Sequence, residues 1–110
     1  QMGWDKDGDR AIELEMPSRR LHNFYKCVKD TYGYSFQLHR TNVTSTDHHA
    51  FRKDGFDAIG ITEEYVNGDT TPHYHKKSDT YDTVNFEYLL STTAFMSDLF
   101  SELTTNTTCP

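Results

Sequence analysis

The chain has 110 residues, a net charge of −6 and 35% hydrophobic residues, with a mean hydropathy of −0.80. That length suits one small domain or part of a larger one, burying roughly 65% of its unfolded surface, with aromatic rings supplying much of the apolar area. The acidic balance, with no basic stripe to offset it, excludes non-specific nucleic-acid binding; no apolar run reaches the length of a membrane span, and none reads as a signal peptide.

Along the chain, residues 5–9 (DKDGD) form a turn. Its alternate carboxylates begin like an EF-hand loop, but Gly8 falls early and Met16 stands where a bidentate glutamate is required, so a solvated turn is expected. Residues 10–16 (RAIELEM) alternate apolar and charged side chains and predict a half-buried strand. Pro17 and Ser18 open a helix with Leu21, Phe24, Tyr25, Val28 and Tyr32 at helical spacing, stopped by Gly33. Residues 35–43 (SFQLHRTNV) predict a second strand. Thr46 or Asp47 is placed to cap a short helix through Phe51 and Lys53, closed by Gly55. Residues 56–62 (FDAIGIT) are the most apolar run and predict an interior strand of a parallel or mixed sheet. A polar loop spans residues 63–82. Residues 84–103 then form a long amphipathic helix, with Phe86, Leu89, Leu90, Phe95, Met96, Leu99 and Leu103 on or near one face. Residues 104–110 are a Thr-rich tail, expected to fray.

The order β-α-β-α-β-loop-α is an α/β layout with crossover helices. Ligands of such sheets bind outside the carboxyl ends of the strands. The loops after the second and third strands are therefore expected to open on one side, grouping Asp47 with His75. Cys27 and Cys109 lie too far apart for a Cys-x-x-Cys site and form either one disulfide or two free thiols. Asn42-Val43-Thr44 and Asn106-Thr107-Thr108 are glycosylation sequons, relevant only in a eukaryotic secretory pathway.

The segment richest in chemistry is residues 69–80, DTTPHYHKKSDT. His73 and His75 are two apart, and Asp79 follows four residues later. Neutral imidazole is a common zinc ligand, and a nearby carboxylate ligates or orients the ring. The bland reading of each is a surface histidine and, for Asp79 with Thr80, an Asx turn. His48 and His49 are adjacent, so at most one of them faces a common site. Asp47 serves equally as a helix cap. Glu63 and Glu64 read more simply as a solvated acidic loop.

Three segments together resemble the zinc aminopeptidases with a co-catalytic metal pair, metallopeptidase family 28. His75-x-x-x-Asp79-Thr80 fits the family's C-terminal metal-ligand loop. Thr46-Asp47-His48-His49-Ala50-Phe51, followed by residues 55–61 (GFDAIGI), looks like its Ser-Asp-His-x-x-Phe…Gly-Ile-Pro-Ala segment. Met2-Gly3-Trp4-Asp5 resembles the stretch just after a metal-binding aspartate. The resemblance implies the C-terminal part of a three-layer α/β/α zinc-exopeptidase sheet over residues 1–103, with residues 104–110 as its tail. It makes His75 a zinc ligand, Asp47 and Asp79 supporting groups, and Glu63, Glu64, His73 and Tyr74 residues of the substrate pocket. It implies two zinc ions in the intact protein, a peptide substrate, and further ligands and a catalytic glutamate on an upstream part of the same protein. No catalytic residue falls in this segment, which is expected to be an inactive fragment by itself. Secreted, periplasmic or cell-surface location is a family-level expectation. A glutaminyl cyclase-like acyl transferase shares the fold, but its motif tends to read Asp-Asp-His where this chain has Thr46-Asp47-His48. A metal-free, receptor-like homologue is the non-enzymatic alternative.

Overall fold

The computed structural model describes residues 2–15, 18–66, 68–105 and 109. Met16 and Pro17, expected to end the first strand and open the first helix, and the Asn106 sequon lie outside the described residues. The elements in order are β1 (Ile12–Glu15), α1 (Arg19–Thr31), β2 (Leu38–Thr41), α2 (Asp47–Lys53), β3 (Gly60–Glu63), a 3-10 turn (Tyr81–Thr83) and α3 (Phe86–Thr105). They build a mixed α/β domain around a three-stranded sheet of order β2-β1-β3.

β1 is the central strand and all four of its residues are buried. The half-buried strand expected from the alternation is thus corrected. Ile12 and Leu14 enter the apolar core, while Glu13 and Glu15, on the opposite face, are 0% and 4% exposed. α1 begins at Ser18, whose side chain accepts a hydrogen bond from the Leu21 amide. It buries Phe24 and Val28, one turn apart. Gly33, in the left-handed region at φ 76°, turns the chain out of the helix, and the Tyr34 amide bonds back to the Lys29 carbonyl. The core joins Ile12 and Leu14 to Phe24, Val28, Phe36, Phe95, Leu99 and Cys109. Tyr34, Phe36 and Phe95 meet there largely edge to face, at centroid distances of 5.1–5.4 Å.

β1 and β2 are parallel, as a helical crossover requires. β3 runs antiparallel to β1, pairing Ile12 with Glu63 and Glu15 with Gly60. Two expectations change. β3 is an edge strand among the described residues, not an interior one. The ends of β2 and β3 also lie at opposite ends of the sheet, so their loops do not leave on the same side.

α3 buries Tyr88, Thr92, Phe95, Leu99 and Glu102. Of the face expected from the sequence, Phe95 and Leu99 are inside, whereas Phe86, Leu90 and Leu103 are 59%, 71% and 59% exposed. The seam is chosen by polar anchors. The Tyr88 hydroxyl donates to the Ala11 carbonyl at 2.7 Å. Glu102 accepts from the Tyr32 hydroxyl at 3.0 Å and from the Cys109 amide at 3.3 Å. Thr104 and Thr105 continue the helix rather than fray. Cys109 is buried and disulfide-bonded to Cys27 on α1, resolving the choice left open by the sequence.

Candidate functional site

The face of β1 opposite the core carries the loop that follows β3. A buried carboxylate must find hydrogen-bond donors. Glu13 accepts from the Tyr65 amide at 3.1 Å and from the Val66 amide at 3.0 and 3.1 Å. Glu15 accepts from the Tyr65 hydroxyl at 2.8 Å and from the Thr46 hydroxyl at 3.1 Å. Thr46 also lies 2.7 Å from His48 Nδ1, and His48 Nε2 faces the Val43 carbonyl at 2.9 Å. Nε2 therefore carries a proton, and the single Thr46 proton serves either Glu15 or His48 at one time. Gly60 makes the cluster possible: a Cβ there would sit 2.3 Å from Glu15 Oε1 and 2.9 Å from His48 Nδ1.

Thr46 is the residue preceding α2, and its side chain bonds Glu15 and His48 instead of capping the helix. Asp47 is consequently the first helical residue and not the cap, where its charge suits the helix dipole. Of the adjacent histidines, His48 is buried and His49 is half-buried. A groove of about 650 Å³ runs along β3, bordered by Asp47, His48, Phe51, Glu63, Tyr65 and Tyr74. Asp47 and Tyr74 thus line one groove although their loops start at opposite ends of the sheet, because residues 65–74 fold back along β3.

The histidine loop is anchored to the first residues of the chain. Asp69 accepts from Trp4 Nε1 at 3.2 Å and from the Lys6 amide at 3.0 Å. The Trp4 ring meets His73 edge-on at 5.8 Å. His73 Nδ1 pairs with the Ser78 hydroxyl of the same loop at 2.9 Å. The Lys76 amide closes a turn onto the His73 carbonyl. The third residue of that turn is His75, exposed and in the left-handed region at φ 55°, its ring stacked on Tyr74 at 3.8 Å. Glycine or asparagine is the usual occupant there, so a histidine carries backbone strain where its side chain is presented to solvent.

Asp79 is exposed, and its amide bonds the Lys76 carbonyl. With Glu63 it borders a small pocket of about 90 Å³ against Met2, Gly3 and Trp4. Glu63 and Glu64 are 2% and 8% exposed, which corrects the solvated acidic loop. As neighbours at a strand end they point to opposite sides. Glu63, opposite Ile12, borders both the groove and the small pocket, and burial holds its carboxyl above the usual range. Glu64 faces the turn at residues 5–9. His75 borders neither cavity.

Zinc needs about four ligands. Among the described residues, His75 belongs to no grouping of three ligand side chains; the two such groupings are all-carboxylate and lie elsewhere. This chain alone therefore does not fit a zinc pair. The cluster of Glu15, Thr46, His48 and Tyr65 went unnoticed in the sequence. Its signal was the pair of glutamates at alternate strand positions, facing opposite to Ile12 and Leu14.

No curated protein sequence matches the chain. Among solved structures, the fold is similar to that of Legionella pneumophila LapA aminopeptidase, with a TM-score of 0.79 and 21% identity. The match covers 94% of this chain but 29% of LapA, so the chain spans under a third of that protein. The sequence model of Peptidase family M28 matches residues 10–100, which contain β1 through most of α3, the Thr46–His48 cluster and the His75 turn; the chain belongs to peptidase family M28.

Proposed function

We propose that this chain supplies one zinc-ligand loop of an aminopeptidase that removes N-terminal residues from peptides, with His75 as the ligand. The observation that carries the reading is His75 itself, an exposed imidazole in a left-handed turn position inside the family match. Membership of a generally zinc-dependent peptidase family supports it, as does likeness to a protein described as an aminopeptidase. The remaining zinc ligands and the general base would come from residues upstream of this chain. Within it, Asp47, Glu63 and Tyr74 would shape the substrate groove, and His73 and Asp79 would hold the turn that presents His75. The Cys27–Cys109 bond supports an exported setting, since disulfides persist in oxidising compartments.

The test has two arms. The chain alone, supplied with zinc, is expected to give no hydrolysis of aminoacyl nitroanilides; zinc-dependent turnover by homogeneous chain overturns its dependence on upstream residues. In the protein that joins this chain to those residues, His75→Ala is expected to remove bound zinc and lower kcat/KM by more than about a hundredfold. Unchanged zinc content and activity would sink the assignment.

A further inference from the structure

Apart from the histidine loop, the strongest concentration of unbalanced charge is where the turn at residues 5–9 meets the loop after β3. Two groupings share Asp7: Asp5, Asp7 and Asp69, and Asp7, Asp9 and Glu64. In each, the donor oxygens lie within 4.8 Å of one another. Backbone amides satisfy part of this set. Arg10 donates to Asp5, Asp9 to Asp7, Ala11 to Asp9, and Lys6 to Asp69. Glu64 differs. It is 8% exposed and points into the second grouping, and its Oε2 finds no hydrogen-bond partner among the described residues. No ion pair with a basic side chain reaches any of the five carboxylates among the described residues; Arg10 turns away to Glu87 at 3.7 Å. A buried carboxylate oxygen facing two others is costly unless a cation joins them.

We propose that Asp7, Asp9 and Glu64, backed by Asp5 and Asp69, bind a calcium ion that clamps the turn at residues 5–9 to the start of the loop carrying His75. The donors are all oxygens, with no histidine or thiolate, which selects a hard cation over zinc or another transition metal. Calcium accepts six to eight oxygens in flexible geometry and fills its shell with backbone carbonyls and water, as a turn half open to solvent provides. The electrostatics agree. Burial and then the charges of Asp9 and Asp7 push the Glu64 carboxyl up to about 7. Burial first, and then Asp7 and Asp9, push Asp5 up to about 6. The site departs from an EF-hand in order: its glutamate arrives from the end of β3, which lies beside Ile12, not from the end of a contiguous loop. The ion would brace the base of the histidine loop, since Asp69 holds the Trp4 segment against which His73 packs.

Trp4 is the single tryptophan of the chain and hydrogen-bonds Asp69, so terbium bound beside it is excited through its indole ring. The experiment is terbium luminescence with calcium competition, paired with thermal melts. Terbium emission is expected to be displaced by calcium at roughly 0.1–1 mM and not by tenfold more magnesium. Saturating calcium is expected to raise Tm by about 5 °C or more. Glu64→Gln should abolish both responses yet raise the metal-free Tm, because an amide there donates to Asp7 or Asp9; circular dichroism checks that it folds. Glu87→Gln, outside the cluster, should keep both responses. Absent emission, emission unaffected by Glu64→Gln, or a Tm indifferent to calcium overturns the site. Equal displacement by magnesium overturns the choice of ion.

Discussion

The two faces of β1 are built from alternate residues of one four-residue strand, yet they follow different physics. Ile12 and Leu14 face a core of aromatic and aliphatic side chains from α1 and α3. Glu13 and Glu15 face an interior where their carboxylates accept hydrogen bonds from residues 46, 65 and 66. The first face tolerates rearrangement because dispersion is non-directional. The second fixes positions, because each carboxylate oxygen needs its donor. The groove and the histidine loop lie on the second side.

That contrast breaks first at Leu14. Leu14→Ala is expected to cost about 3–4 kcal/mol in urea denaturation, spread over the whole molecule, because the residue is fully buried. Glu13→Ala should cost about 2–3 kcal/mol by stranding the Tyr65 and Val66 amides. Its signature should be local: hydrogen exchange at those two amides accelerates while α1 stays protected, and uniform acceleration would show that the two faces are not separable. Gly60→Ala should cost about 1–2 kcal/mol, since the added methyl meets Glu15 and His48. His75→Gly should stabilise the chain by about 0.5 kcal/mol, relieving the left-handed backbone while deleting the proposed ligand. A loss of stability would mean that the Tyr74 stack outweighs the strain.

The smallest effect is on the core side. Burial, and then the hydrogen bond to Asp98, push the Tyr34 phenol up to about 12. Its raised value makes the protonated form the native one. That contribution is therefore complete below pH 10 and is lost as pH rises through about 12. Absorbance titration should find the Tyr34 phenol in a late group with Tyr65 and Tyr88, and Tyr34→Phe should remove one phenol from that group.

The apolar side was largely legible. The Ser18 cap, the Phe24 and Val28 stripe and the Gly33 stop each follow from local chemistry that tertiary contacts did not override. α3 was legible as a helix, but not in its orientation. Its apolar residues cover more than one side, and the buried seam is selected by Tyr88 and Glu102, whose partners Ala11, Tyr32 and Cys109 are distant in sequence. The direction of β3 was not legible either, because a short apolar run pairs equally well either way. Within the site, the family motif singled out His75, Asp47 and Asp79. Burial of Glu13, Glu15, Glu63 and Glu64 escaped notice, because a glutamate between apolar residues reads as a solvent-facing position until its donors are known.

The Cys27–Cys109 bond links α1 to the stretch beyond α3 across 82 residues of sequence. Every element from β2 to α3, and the whole histidine loop, lies inside that covalent ring. A protease that cuts the exposed turn at residues 73–79 therefore opens the ring without releasing a piece. The nicked molecule keeps its mass, apart from one water gained, until a reductant is added. Loss of function by proteolysis and loss of the polypeptide are in this way separate events, and gels run with and without thiol would tell them apart.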